Sequence, residues 1–519
     1  MAKTTPGKNQ LYGRIGVIAV MVFCVLGIIA LSYGLFLHSS LQLDEAQSLW
    51  QSSHSILGIL HTVALDVHVP LYHLLLHFWL LIFGEHISSA RILSLVFFIA
   101  SLPFFYLLAR QVLSRKWSLF SLILFSFSPF MLWYSNIARM YSLLALFTTI
   151  SQYLFLRIMR TNKGWRKYGL SSVIGAYSHY FFSFVLAAEG LYLLYNRKRF
   201  APGSVKRLIL VAILVVLALA PWLVYFFILG AAHNTRPLLA TPSTVDFFNV
   251  YSQFLFGFQD TFINTIILSL WPLLMLIGFL ALRRNQSVTP EISFIATMAF
   301  LPVITAFVLS LVISPFFLSR YLISAVAPLL ILTVWLISYY PTYLRAAIIV
   351  LICIITIGAN IEQAINPNNP LKENYRSAVS YINHHIHPQD GVIISTPFTI
   401  YPFEYYYRGG APIYTLPLWK RVGSGSIPAF QSKTLPSQVK KIDAYKQNVY
   451  LLLSQDQGYQ NTIDIYFRDH FKRLYKHVYS PDLTLYVYKM GYEKVAPIGS
   501  PSTVITPSHP VSNPAIINS

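Results

Sequence analysis

Long apolar runs without a charged side chain recur along most of this 519-residue chain. The first, residues 15–37, reads IGVIAVMVFCVLGIIALSYGLFL and is long enough to cross a bilayer. In lipid, the backbone N–H and C=O groups of such a segment must pair internally, so it must form a helix. Because Lys3, Lys8 and Arg14 precede it and no small-residue cleavage site follows, we interpret it as a retained transmembrane helix.

The repetition of these runs predicts a mainly α fold, a polytopic membrane helical bundle of about eleven transmembrane helices. The chain is 55% hydrophobic and only 11% charged, with a mean hydropathy of +0.56, which excludes an ordinary soluble protein. The longer run 168–195 has to return to the side that it left, so we expect two short or tilted helices there. The other runs are 92–109, 117–134, 140–156, 208–230, 261–282, 292–319, 321–344 and 346–361.

The formal net charge of +20 arises from 38 Lys and Arg against 18 Asp and Glu. Many of the basic residues lie in short loops such as 157–167 and 197–207, a pattern typical of cytoplasmic loops rather than of nucleic-acid binding. With those loops inside, residues 38–87 and the chain after 361 lie outside. We therefore predict a multi-pass protein of a bacterial cytoplasmic (plasma) membrane, with its active site and C-terminal domain on the outer face and no nucleic acid as partner.

Three parts are expected along the chain. Residues 1–361 form the transmembrane module, and its large outer loop 38–87 carries interfacial helices, because the apolar run 69–83 is too short to cross. Residues 362–490 form a small soluble α/β domain, and the Pro/Ser-rich tail 491–519 is predicted to be disordered. The α/β domain opens with a linker, a helix and a strand that ends in GVIISTP, and further strand-like runs follow at 412–418, 448–454 and 483–489.

Two adjacent carboxylates, Asp44 and Glu45, follow the first helix in LQLDEAQSLW. They are either a solvated helix start or part of an active site. The same outer loop contains Asp66 and His68, so carboxylates and imidazoles gather near one membrane-proximal surface. This concentration favours a functional interpretation.

A metal site is the weaker interpretation of the histidines in HVPLYHLLLHFW. His73 and His77 are spaced i, i+4, but the sequence supplies no acidic third ligand beside them. We expect these histidines to give an interfacial helix a wet face. A divalent metal is possible but not predicted, and no other cofactor is implied.

Two arginine–tyrosine pairs, Arg139 with Tyr141 and Arg320 with Tyr321, lie at outer ends of apolar runs. An arginine at membrane depth is costly unless it reaches the interface or is paired, so each is either an anchor or a functional residue. Two arginines on the carboxylate-bearing face suit an anion, and a lipid phosphate fits both charge and depth. His179 in YSHYFF is either a hydrogen-bonded core residue or a substrate contact.

The α/β domain offers two further basic residues. In KENYRSAVSYI, Lys372 and Arg376 are predicted on the first turns of a helix that begins just outside the membrane. They either face solvent or contact a phosphate or an acidic acceptor.

Several weak motifs occur in an order that resembles the GT-C superfamily of membrane glycosyltransferases. The resemblance covers residues 10–345 and is greatest to the branch that includes protein O-mannosyltransferases and the bacterial aminoarabinose transferase of lipid A. Val69 departs from it where a second proline is frequent, and Tyr141 where an acidic residue often follows the arginine. The motifs are DEA, HVPLYHLLLHFW, SARILSLVFF, SPFMLWYSNIARMYSLLALF, YSHYFF and SRYLISAVAPLL.

The resemblance implies an inverting hexosyl or pentosyl transferase, with a polyprenyl-phosphate sugar as donor, membrane lipids as surroundings and a glycan, lipid or protein hydroxyl as acceptor. The leaving phosphate monoester can depart as an anion, so a base for the acceptor and cations for the phosphate suffice. Asp44 matches the family's catalytic acidic residue, and Glu45 either orients it or is solvated. The expected donor phosphate-binding residues are Arg139, Arg320, Tyr141 and Tyr321, and the expected substrate-binding residues are Asp66, His68, His179, Lys372 and Arg376.

Two other classes of protein remain as alternatives. A transporter or flippase of lipid-linked sugars also needs outer basic residues, but it tends to show related halves, and no half-to-half similarity is visible here. An O-antigen polymerase or ligase shares the donor class, although its large outer loop usually falls later in the chain.

Overall fold

The computed structural model describes residues 6–37, 39–66, 68–229, 239–259, 265–266, 269, 288–368, 370–419, 421, 427–443 and 447–491. The chain forms two compact units. The helical unit comprises Met1–Ser39, Gln51–Leu229 and Leu239–Ile365. The sheet unit includes Ser40–Trp50 and the chain from Asn366 onward. The predicted tail lies outside the described residues from position 492.

Helices account for most of the described chain up to Ile365, as the charge-free runs predict. A π-helical stretch, Ser32–Phe36, continues the first helix, and a 3₁₀ stretch, Ser319–Ala325, precedes α14. The helices are α1 (Pro6–Leu31), α2 (Leu43–Ser52), α3 (Ile56–Leu65), α4 (Leu71–Phe83), α5 (Ile87–Ala109), α6 (Arg115–Ser126), α7 (Pro129–Ser135), α8 (Tyr141–Thr161), α9 (Trp165–Ser178), α10 (Phe182–Tyr195), α11 (Ser204–Ile228), α12 (Thr244–Phe256), α13 (Pro290–Val312), α14 (Val326–Ile337) and α15 (Thr342–Ile365).

Seven described helical stretches are long and apolar enough to cross a membrane, or eight if the bent pair α6 and α7 is one span. The polytopic helical bundle is therefore confirmed, whereas the number eleven is not. The predicted run 261–282 lies almost entirely outside the described residues. The seven stretches are Arg14–Phe36, Ile87–Ala109, Tyr141–Thr161, Ser204–Ile228, Pro290–Val312, Ser319–Ile337 and Thr342–Ile365.

Local sequence signals explain two breaks in the bundle. Ser128 accepts a hydrogen bond from the Met131 N–H at 3.4 Å, and Pro129 occupies the first turn of α7, so a new helix starts at an angle of 53° to α6. Between α9 and α10, His179 has an extended backbone and its Nδ1 accepts the Phe181 N–H at 3.1 Å. Two short helices therefore occupy the region 168–195, as expected.

Aromatic contacts and one polar cluster hold the interior of the helical unit together. Phe105 stacks on Phe125 with ring centroids 4.2 Å apart. The fully buried carboxyl of Glu189 accepts hydrogen bonds from the Tyr168 hydroxyl at 2.8 Å and the Ser151 hydroxyl at 3.0 Å. Each of these three polar side chains has a hydrogen-bond partner, so the cluster joins helices α8, α9 and α10.

The sheet unit is built on a five-stranded sheet with the strand order β2-β1-β3-β5-β4. β1, β2 and β3 are parallel, whereas β5 runs antiparallel to both β3 and β4. The strands are β1 (Gly391–Ser395), β2 (Ile413–Thr415), β3 (Asn448–Ser454), β4 (Lys472–Ser480) and β5 (Leu483–Lys489), and the helices are α16 (Tyr375–His385), α17 (Ile400–Tyr406), α18 (Leu435–Asp443) and α19 (Gln460–His470).

Alternate residues of the central strands enter two separate cores. Ile393 and Leu451 lie in one core with residues of α18 and α19, and Val392 and Leu452 lie in the other with residues of α16. The sheet is thus covered on both faces, which confirms a small α/β fold. Strand β4 was not predicted, because this edge strand is mostly exposed and basic, KRLYKHVYS, and lacks an apolar alternation.

Candidate functional site

Arg139 is a buried cation of the helical unit, in the turn between α7 and α8, with only 4% of its surface exposed. Its Nη2 lies 3.3 Å from Nε2 of His68, and that nitrogen lies 3.6 Å from Oδ2 of Asp66. Because a guanidinium can only donate, Nε2 of His68 accepts and carries no proton in this arrangement. Contacts thus run from Arg139 through His68 to Asp66.

Neighbouring hydroxyl groups fix this pair from both sides. The Ser94 hydroxyl donates to the Arg139 carbonyl at 3.2 Å, and the Tyr180 hydroxyl donates to the His68 carbonyl at 3.3 Å. The indole N–H of Trp222 in turn donates to the Tyr180 oxygen at 3.0 Å. The backbone at Arg139 and His68 is thus held by α5, α11 and the α9–α10 turn.

A second arginine and a second histidine lie in the same region of the helical unit. The guanidinium carbon of Arg320 is 5.5 Å from the ring centre of Tyr321, and the His179 ring is 5.2 Å from that ring. His68, Arg139 and Arg320 all lie near enough to His179 to act on its charge. Arg139, Arg320, His68 and His179 form what we call the basic cluster.

In the sheet unit, the first turn of α2 carries Asp44 and Glu45. Glu45 is fully buried, and its Oε2 accepts the backbone N–H of Gln42 at 3.1 Å. This is the contact by which a glutamate three residues into a helix caps the residue before it. Glu45 thus stabilises the start of α2, whereas Asp44 is half-buried.

A third carboxyl, Glu373, contacts the same helix end from the segment that precedes α16. It is 4% exposed, its Oε2 accepts the Leu43 N–H at 3.0 Å, and its Oε1 accepts a hydrogen bond from the Gln455 amide. Burial, and secondarily the charges of Asp482 and Asp44, raise the pKa of Glu373 to about 8, against the opposing effect of its hydrogen bonds. Glu373 is therefore protonated at neutral pH. Asp44, Glu45 and Glu373 form the acidic cluster.

Comparisons of the sequence with family models and of the structure with solved structures agree on one fold. A family model described as dolichyl-phosphate-mannose-protein mannosyltransferase matches residues 67–225. ArnT from Cupriavidus metallidurans in the apo state gives a TM-score of 0.58 at 11% identity, covering 91% of this chain and 98% of ArnT. The chain has the fold of the GT-C membrane glycosyltransferases. ArnT bound to undecaprenyl phosphate gives 0.55 with the same identity and coverage.

An oligosaccharyltransferase from Archaeoglobus fulgidus, in complex with Zn and sulfate, gives a TM-score of 0.49 at 12% identity, covering 83% of this chain and 67% of its own. Comparison with curated proteins found no significant match.

The GT-C fold brings several of the predicted residues together. Arg139, Arg320, His68 and His179 meet in the basic cluster of the helical unit, with Tyr321 beside them. Asp66 contacts His68 and also accepts a hydrogen bond from the Gln51 amide at 2.8 Å. Asp44 and Glu45 meet in the sheet unit. Tyr141 instead lies in the hydrophobic core, 1% exposed, with its ring 5.0 Å from Tyr134.

The two basic residues predicted in the α/β domain have other contacts. Helix α16 begins at Tyr375 behind Asn374, whose side chain accepts the Ser377 N–H, so the prediction that Lys372 lies on its first turns is wrong. The Lys372 ammonium donates to the Asn366 carbonyl at 2.8 Å. The Arg376 guanidinium lies 5.8 Å from the ring centre of Tyr406. The displaced helix start has a local cause, since Asn374 supplies the cap.

The prediction that His73 and His77 give their helix a wet face is wrong for His73, which is fully buried. His77 Nδ1 lies 2.8 Å from the Ser52 carbonyl oxygen, and the fully buried His73 stacks near His68 with ring centroids 6.3 Å apart. Within the described ranges, no group of three or more His, Cys, Asp and Glu side chains is arranged to hold a metal ion.

Sequence reasoning missed four residues that position the two clusters: Glu373, Gln455, Tyr180 and Trp222. Tyr180 adjoins His179 in the YSHYFF motif, and Glu373 adjoins Lys372, so each was next to a residue already chosen. Neither Gln455 nor Trp222 has a local signal, because the contact that matters joins distant parts of the chain.

Proposed function

We propose that this chain transfers a sugar from a polyprenyl-phosphate donor to an acceptor hydroxyl of a protein, lipid or glycan. The observation that carries the proposal is the basic cluster within a GT-C fold: Arg139 is buried and contacts His68, Arg320 lies against Tyr321 beside His179, and both arginines act on the charge of His179. Guanidinium groups at membrane depth suit the binding of a lipid phosphate, because their paired N–H donors match its oxygens. The ArnT structure with undecaprenyl phosphate and the dolichyl-phosphate-mannose family model support a lipid phosphate as that anion.

In this proposal, Arg139 and Arg320 bind the donor phosphate. Guanidinium groups match phosphate oxygens with paired N–H donors and stay charged in apolar surroundings. Because Nδ1 of His179 accepts the Phe181 N–H, its Nε2 carries the proton and is a further donor. The charge that develops on the leaving phosphate is thus met by cations of the protein, and the proposed reaction needs no metal or cofactor.

Asp44 is the proposed base of a single inverting displacement. It takes the proton of the acceptor hydroxyl while the acceptor oxygen forms a bond to the anomeric carbon. The bond from that carbon to the phosphate oxygen breaks, and the polyprenyl phosphate leaves with the electron pair. Glu45 is fully buried and caps α2, whereas Asp44 is half-buried and so more accessible to an acceptor, which makes Asp44 the better candidate of the adjacent pair. We place the reaction on the outer face of a bacterial plasma membrane, as the distribution of basic loops indicates.

The test is transfer by the purified full chain in nanodiscs. The donors are synthetic polyprenyl-phosphate mannose and polyprenyl-phosphate aminoarabinose, each radiolabelled in the sugar, and extracted membranes supply acceptors. The variants are Asp44→Asn, which removes the base but keeps the shape, and Asp469→Asn, a control at an exposed carboxyl of the same unit. We expect the control to transfer sugar normally and Asp44→Asn to be nearly inactive. Normal transfer by Asp44→Asn would refute its role as base, and no transfer from either donor by the unsubstituted chain would refute the proposed function and favour the transporter alternative.

A further inference from the structure

Glu373 is a buried carboxyl that the proposed reaction does not use. It lies two residues before α16 in the sheet unit, and it contacts residues of Ser40–Trp50, a stretch of the same unit that is distant in sequence. Its Oε2 accepts the Leu43 N–H at 3.0 Å, and its own N–H donates to the Gln42 side-chain oxygen at 3.4 Å. These contacts place the Glu373 side chain against the first turn of α2.

The first turn of a helix has backbone N–H groups that no helical carbonyl can reach. Glu45 accepts the N–H of Gln42, and Glu373 accepts the N–H of Leu43. Asp44 is the next residue after Leu43. Neither the Gln42 N–H nor the Leu43 N–H requires the Asp44 side chain as an acceptor. The start of α2 is therefore capped by one carboxyl from within the helix and one from the C-terminal chain.

The partner of Glu373 is itself held firmly. Gln455 has a left-handed backbone, with φ of 58°, which is uncommon for a residue other than glycine. The Asp482 carboxylate accepts its N–H at 2.8 Å, and the Thr396 hydroxyl donates to its carbonyl at 2.7 Å. Because the backbone of Gln455 is fixed on both sides, its amide is directed at Glu373.

Further contacts within the sheet unit fix the rest of Ser40–Trp50. The Leu41 N–H donates to the Tyr406 hydroxyl at 2.9 Å, and the Arg376 N–H donates to the Ser40 hydroxyl at 3.3 Å. At the other end, the Trp50 ring lies 5.1 Å from Tyr401 and 4.7 Å from the Arg421 guanidinium. The stretch thus folds as part of the C-terminal domain.

We infer that Glu373 is a positioning residue for Asp44: by capping α2 from the C-terminal domain, it fixes the place of the proposed catalytic carboxylate. This inference rests on the proposed function, since it assigns a purpose to the placement of Asp44. It also gives the C-terminal domain a part in the reaction other than substrate binding. A neutral side chain that can accept a hydrogen bond is sufficient for this task.

The experiment compares three substitutions in the full chain in nanodiscs. Glu373→Ala removes the cap, whereas Glu373→Gln keeps an oxygen for the Leu43 N–H, and the Gln455 amide can turn its own oxygen toward the new NH₂. Asp390→Ala is the matched control, because Asp390 is also a buried carboxyl of the sheet unit, accepting the N–H groups of His387 and Asn448 away from α2. Each variant is assayed for kcat and KM with polyprenyl-phosphate mannose and polyprenyl-phosphate aminoarabinose, and for hydrogen exchange of residues 40–50.

We expect Glu373→Ala to lower kcat per folded molecule at least tenfold with KM for the donor unchanged, and to speed hydrogen exchange in residues 40–50. Glu373→Gln should restore both, and Asp390→Ala should lower thermal stability only. Wild-type kcat in Glu373→Ala, an equal loss of kcat in Asp390→Ala, or unchanged exchange in residues 40–50 would each overturn the inference. A fully active Asp44→Asn would instead refute the role of Asp44 as base, and absence of transfer by the unsubstituted chain would refute the proposed function, while the exchange measurement would still report whether Glu373 holds α2.

Discussion

Replacing Glu373 with glutamine should remove a pH dependence of stability that this carboxyl confers. Burial, with smaller effects from Asp482 and Asp44, raises the pKa of Glu373 from its ordinary 4.5 to about 8. At a pH between these two pKa values, Glu373 keeps its proton in the folded protein but has released it in the unfolded chain. The contribution of Glu373 to stability is therefore full below pH 4.5, falls as the pH rises, and is lost above about pH 8.

The size of the effect follows from the same two pKa values. Each pH unit between them corresponds to about 1.36 kcal/mol, so the sheet unit should lose about 5 kcal/mol across the window. For a domain of this size, 1 kcal/mol changes Tm by about 2–4 °C. The apparent Tm of the wild type should therefore fall by about 10–20 °C more than that of Glu373→Gln as the pH is raised from 4.5 to 8.5.

The assay is thermal unfolding of the full chain in detergent at pH values from 4.5 to 9, with unfolding of the sheet unit detected as new proteolytic cleavage within Asn448–Ser454. Asp469→Asn is the control, since it removes an exposed carboxyl from the same unit. Comparison of variants at each pH cancels the titration of other groups. Parallel curves for the wild type and Glu373→Gln would refute a raised pKa at Glu373 and, with it, a neutral cap on α2 at pH 7.

Four further outcomes are expected. Asp44→Asn should lower turnover by roughly 10²–10⁴-fold with undecaprenyl phosphate affinity unchanged. Glu45→Gln should lower turnover less, because its amide oxygen still accepts the Gln42 N–H. Equal losses for the two variants in a transfer assay would contradict this. Arg139→Ala should weaken undecaprenyl phosphate binding, measured by titration in nanodiscs, by about tenfold or more, and Arg139→Lys should recover only part of it because the paired donors are lost. Glu189→Ala should destabilise the helical unit by about 1–3 kcal/mol, because the Tyr168 and Ser151 hydroxyls lose their buried acceptor; a melting curve in detergent that matches wild type would contradict this. Treatment with EDTA should leave the rate of sugar transfer unchanged, and a loss restored by added Mg²⁺ or Zn²⁺ would refute the metal-free reaction.

The transmembrane part of the fold was predictable because its physical constraint is local. A charge-free run such as 15–37 has no stable alternative in lipid to internal hydrogen bonding, whatever the rest of the chain does. The ends of helices were harder, since the break at His179 depends on one side chain accepting the Phe181 N–H. Strand β4 was missed because its constraint is not local. It is defined by pairing with β5 rather than by its own apolar pattern.

The distinction between local signals and tertiary contacts also explains which site residues could be recognised in the sequence. Arg139 and Arg320 are recognisable because a charge beside an apolar run is costly, and this cost is visible from the neighbouring residues alone. Glu373 lies in the polar stretch NNPLKENYR, where a glutamate looks the same whether it is solvated or buried. Its importance depends on an acceptor contact with Leu43, 330 residues away, and on Gln455, which the fold brings to it from another strand end. A residue that acts by positioning another one therefore becomes visible only when the tertiary structure shows which backbone group it holds.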